Sequence, residues 1–203
     1  MNQIEVIARE RKQTSLNLQL EYFTDEAFEG LSRLNYIRFF NLNGFSIEEL
    51  VNLGYPINSG RSIRAGEPFT PYSELEHSRS RTSQVAACPK HILKGSDNKS
   101  LVEQIEMLSE VNSILKSHNI IGAKAVIGNA ADYAELALQY YLETNQNLVD
   151  GRIIRTSTTT DEGDKIAHLS MGRDGAIYLG MSLDRRYPLY YISPLIVPSN
   201  SLH

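Results

Sequence analysis

Gly128-Asn129-Ala130-Ala131-Asp132-Tyr133-Ala134-Glu135-Leu136-Ala137-Leu138 decides how this chain is read. The Gly-Asn pair turns the backbone out of the apolar run Val126-Ile127 and into a helix. Small residues follow at Ala134 and Ala137, then apolar ones at Leu138, Tyr141 and Leu142. That spacing predicts a helix reaching about Asn145, with position 130 at its first turn. Read alone, the stretch is an amphipathic helix that opens on an alanine.

Downstream the period changes from helix to strand. Arg152 to Thr160 is β-branched and alternating, and Ile166 to Met171 is a second short strand. Asp174-Gly175 marks a hairpin, because that pair tolerates the positive φ of a primed turn. Ala176 to Leu183 is the return strand and Tyr187 to Val197 one more. The hairpin register places His168 opposite Gly180 or Met181, with Asp184 just past the end of the partner strand.

Upstream, Ser100 and Glu103 form a capping box for a helix over 99–117, with Leu101, Ile105, Leu108, Val111 and Leu115 at helical spacing. Residues 1–60 read as a helical N-terminal region. Phe28, Leu31, Leu34, Ile37 and Phe40 predict a helix over 25–40, and Ser46 with Glu49 caps a shorter one ending at Gly54. Residues 61–98 read as a loop-rich basic connector carrying Arg61, Arg64, Arg79, Arg81, Lys90 and Lys94. Residues 99–203 would then be the core: an α+β unit whose helices pack on a C-terminal antiparallel sheet.

The 203 residues suffice for a buried core without metal or disulfide staples. Cys88 is the single cysteine, so an internal disulfide and a thiolate zinc site are excluded, and no cofactor is expected. The net charge of −4 argues against a nucleic-acid binder relying on bulk charge. No apolar run approaches the length of a membrane span, and Met1 to Arg9 lacks the apolar core of a Sec signal peptide. These features suit a cytoplasmic protein or one delivered into a host cell by a specialised secretion system.

A thiol enzyme needs a cysteine at a helix N-terminus, a histidine within hydrogen-bond reach and a third group to orient the imidazole. Position 130, His168 and Asp184 occur in that order, on a helix and two neighbouring strands. With Gly128-Asn129-(Ala130)-Ala131-Asp132-Tyr133-Ala134, they resemble the papain-like cysteine proteases and glutamine deamidases of bacterial effectors and toxins over residues 99–197. The resemblance implies a papain-like fold and attack on an amide of a protein substrate, such as a host protein, through a thioester. Protease, deamidase and transglutaminase differ only in what resolves that thioester. It implies the nucleophile seat at Ala130, His168 and Asp184 as its partners, and Asn129 and Asp132 at the substrate side. Ala130 cannot attack, so the chain as written is an inactive form, by natural loss or by substitution, or a binding module on the same scaffold.

Two other readings compete. Thr156-Ser157-Thr158-Thr159-Thr160, with Arg61 or Arg64 upstream, resembles the ADP-ribosyltransferases, but no glutamate follows Glu162 to serve as their catalytic acid. Cys88-Pro89-Lys90-His91 sets a thiol near an imidazole, without a helix start to favour the thiolate.

Overall fold

Local sequence rules set most element boundaries. A computed structural model describes residues 22–36, 38–59, 73–87, 92–149 and 151–200. In chain order the elements are α1 (Asp25–Arg33), β1 (Arg38–Asn41), α2 (Ile47–Asn52), β2 (Ile57–Ser59), α3 (Ser73–Glu76), β3 (Gln84–Ala87), α4 (Leu101–Ser117), β4 (Ala123–Val126), α5 (Ala130–Thr144), β5 (Ile153–Thr159), β6 (Lys165–Met171), β7 (Ile177–Leu183), β8 (Tyr190–Tyr191) and β9 (Leu195–Pro198). The capping boxes expected at Ser46/Glu49 and Ser100/Glu103 are both formed, each satisfying two otherwise orphaned amides. Gly175 takes φ +79° in the β6–β7 hairpin, where a side chain would meet the ring of Tyr141.

The fold is α+β, with five helices among the described residues and two sheets. One sheet has the order β1-β3-β9-β4, with every pairing antiparallel. The other has the order β2-β7-β6-β5-β8. Its three central strands are antiparallel, while β2 runs parallel to β7 and β8 parallel to β5. Residues Ala130 to Leu138 of α5 are all buried, so this helix is enclosed on every side. It packs on β5, β6 and β7. Tyr140 meets Phe40 of β1, and the Tyr133 hydroxyl donates to the Ser193 carbonyl just before β9.

Three expectations are corrected. The helix over 25–40 stops at Arg33: Asn35 enters the left-handed region (φ 64°), and Phe39 and Phe40 belong to β1. Phe40 satisfies the helical spacing, yet it is buried from a strand. The single strand expected over 187–197 is two, β8 and β9, in different sheets. The C-terminal sheet is not purely antiparallel, since β2 and β8 join it in parallel. Both sheets join segments from either side of positions 60 and 98. β1 and β3 share a sheet with β9 and β4, and β2 pairs with β7. Arg61, Arg64, Cys88, Lys90 and His91 lie outside the described residues.

Candidate functional site

The start of α5 is built by its own cap. Asn129, in extended conformation, accepts the Asp132 amide through Oδ1 (2.9 Å), and Asp132 Oδ2 accepts the Asn129 amide (2.9 Å). Ala130 is fully buried, and its N–H donates to Thr158 Oγ1 at 2.9 Å. Ser78 Oγ lies 3.2 Å from the same hydroxyl. The Ser157 amide donates to the Gly128 carbonyl at 2.8 Å, locking β5 against the turn. The Ser157-Thr158 pair thus anchors a helix start, and the Ala130 amide is already engaged.

Asn129 and Asp132 face the first half of the chain. Asn129 Nδ2 donates to the Arg79 carbonyl (2.5 Å). Asp132 Oδ1 accepts from Ser80 Oγ (2.7 Å) and the Arg81 amide (2.9 Å). One turn on, Glu135 Oε1 accepts from the Asn43 amide (2.5 Å), Asn43 Nδ2 (2.8 Å) and Gln139 Nε2 (3.3 Å). Gln139 Nε2 also donates to the Asn41 carbonyl (3.0 Å), and Glu143 pairs with Arg38 at 3.6 Å. Spacings of three and four put these residues on one helix face. The stripe fastens the loops 41–45 and 78–82 onto α5. Asn129 and Asp132, expected at a substrate side, are buried within it.

Glu135 has no counter-charge among these partners, and its Oε2 lacks a hydrogen-bond partner. Burial pushes its carboxyl up to about 7; the Asn43 donors and the Phe45 amide oppose the rise, and Asp132 adds to it.

His168 sits elsewhere. In β6, Ala167, Leu169 and Met171 belong to the core shared with α5, so alternation turns His168 to the other face. It pairs with Gly180 of β7, within the expected register, and with Arg155 of β5. Its ring stacks on Tyr190 at 5.0 Å and lies so close to Gly180 that a Cβ there would come within 2.8 Å of Nε2. Burial drives the imidazole down to about 4. The Arg155 guanidinium pushes the same way, and the Ile166 backbone opposes it only in part. Nδ1 is buried without a hydrogen-bond partner.

Asp184 accepts the Leu101 amide at the start of α4 (3.0 Å) and pairs with Arg155 Nη1 at 3.4 Å. Arg155 is 1% exposed. Its Nη1 also donates to the Lys99 carbonyl (2.7 Å) and Gln104 Oε1 (3.3 Å), its Nη2 donates to the Arg185 carbonyl, and its guanidinium lies over Tyr190 at 5.4 Å. Arg155 therefore holds the start of α4 and the segment after β7 against the outer face of the sheet.

The three expected catalytic positions are not brought together. Ala130 lies on the α5 face of the five-stranded sheet and His168 on the opposite face; Asp184 orients Arg155 and caps α4. The most constrained polar residues, Arg155 and Glu135, carry no local motif. An arginine inside the β-branched run Ile153-Ile154-Arg155-Thr156 is the one hint the sequence offers. No protein-family model, no curated protein and no solved structure matches this chain.

Proposed function

We propose that the chain is a non-catalytic protein-binding module. In this reading it keeps the order of a papain-like thiol hydrolase, a helix opening and then a sheet, without a reactive centre. The observation that carries the reading is the closed seat at position 130. The alanine is fully buried, its amide is held by Thr158, and the expected imidazole, His168, faces the other side of the sheet. A thiolate there would lack both an imidazolium to donate to it and room for a substrate carbonyl. The side-chain Nδ2 of Asn129, the oxyanion donor such a site would call on, donates to the Arg79 carbonyl instead.

The thiol-hydrolase reading, a protease or deamidase acting on a host protein, retains one favouring feature: position 130 opens a capped helix whose dipole would favour a thiolate. The two readings part on one measurement. Ala130→Cys is made in a Cys88→Ser background and labelled with iodoacetamide across pH. The binding module predicts labelling slower than a free thiol, with an ordinary alkaline profile and no change on adding His168→Ala. Fast, acid-shifted labelling that His168→Ala abolishes would restore the hydrolase.

A further inference from the structure

A groove of about 430 Å³ opens between α2 and β2, lined by Ile47, Glu48, Val51, Asn52, Ile57, Asn58 and Glu76. Its floor is apolar: Ile47 and Ile57 are almost wholly buried, while Val51 is 41% exposed. Its acidic side chains are Glu48 and Glu76, and no lysine or arginine among the described residues lines it. His77 Nδ1 lies 3.6 Å from Glu48, and Glu76 takes part in no ion pair among the described residues.

The groove also runs beside a sheet edge. Among the described residues β2 is the terminal strand of its sheet, beside β7. The Pro56 carbonyl accepts the Ile177 amide (2.8 Å), and Asn58 pairs with Tyr178. Alternation along a parallel strand then directs the Ile57 carbonyl and the Ser59 amide away from β7, to the side where no described strand lies. An edge of this kind is a template for an added strand.

We infer that this groove takes an extended, basic segment of a partner protein, laid along β2 with an apolar side chain on Ile47, Val51 and Ile57 and lysine or arginine side chains at Glu48 and Glu76. Backbone pairing supplies the direction, the apolar floor supplies burial and the two carboxylates supply the sign of charge. The proposal rests on the binding reading and names its partner chemistry.

The probe is an acetylated, amidated octapeptide of alternating lysine and valine, titrated into the full chain labelled for amide NMR. Saturable shifts at Val51, Asn58 and Ser59 are expected, and none with the peptide carrying glutamate for lysine. Glu48→Gln with Glu76→Gln should weaken binding about three- to tenfold, the scale of two exposed charge pairs. Val51→Lys should weaken it further. Shifts mapping to another face, equal binding of the glutamate peptide, an unchanged double variant or no saturable shift would each overturn the groove assignment. A groove failure with slow Ala130→Cys labelling leaves the binding reading standing; fast labelling removes the reading itself.

Discussion

At single residues, burial decides chemistry more than residue type does. Glu135 and His168 are both ordinary titrating groups held where charge is expensive, and they move in opposite directions. The carboxyl of Glu135 is raised from 4.5 to about 7, so the folded chain binds a proton that the unfolded chain has released between those values. Stability from this group is present below about pH 4.5 and is lost as pH climbs toward 7. Glu135→Gln should remove that loss, which urea titrations at pH 5 and pH 7.5 would read as a flatter difference. A steeper loss would contradict the assignment. His168 is lowered from 6.5 to about 4, so its contribution is present above pH 6.5 and fades as pH falls to 4. His168→Phe, which keeps a ring against Tyr190, should weaken the acid-side loss. Gly180 is tied to the same ring. Gly180→Ala should destabilise by about 1–3 kcal/mol as an overpacking change, and most of that should vanish when His168→Ala is added. Additive effects in denaturant titrations would show that the close approach is not what matters.

At the level of elements, what was legible in the sequence was local. Ser46 with Glu49 and Ser100 with Glu103 announce their helices because cap and partner lie three residues apart. Asp174-Gly175 fixes the β6–β7 register for the same reason, and His168 faces Gly180 as read. The helix expected over 25–40 ran too long because its apolar spacing continues past the real end at Arg33. Phe28, Leu31, Leu34 and Ile37 continue into Phe40 at helical spacing, and Asn35 was the only sign of a break. The stripe Asn129, Asp132, Glu135 and Gln139 was invisible for a different reason. Its partners lie about fifty to a hundred residues away, in loops whose return to α5 no local rule dictates. The same non-locality kept Ala130 and His168 apart: element order was read, but not the sheet face. The stripe has a measurable weight. Asp132→Ala strands the Ser80 hydroxyl and the Arg81 and Asn129 amides, and should cost about 3 kcal/mol or more. A loss under about 1 kcal/mol in chemical denaturation, the range of an exposed hydrogen bond, would mean water replaces those contacts.

The molecule as a whole is held by strands borrowed across its length. β9 is flanked by β3 and β4, and β7 by β2 and β6, so each sheet mixes early and late segments. A fragment beginning at residue 99 would leave β9 with β4 alone and uncover the polar stripe of α5. Such a fragment should show no cooperative thermal transition by circular dichroism; a sharp one would mean that residues 99–203 fold as a unit. Among the described residues no helix is long and apolar enough to cross a membrane.

The two displaced ionisations also have a joint effect. Between about pH 4.5 and 6.5, Glu135 captures a proton on folding while His168 gives one up. Near the middle of that interval their exchanges with solvent largely cancel. Calorimetric unfolding enthalpies from this pair should therefore be nearly the same there in buffers of high and low ionisation heat. Replacing either residue alone would make the enthalpy depend on the buffer, with opposite sign for the two replacements.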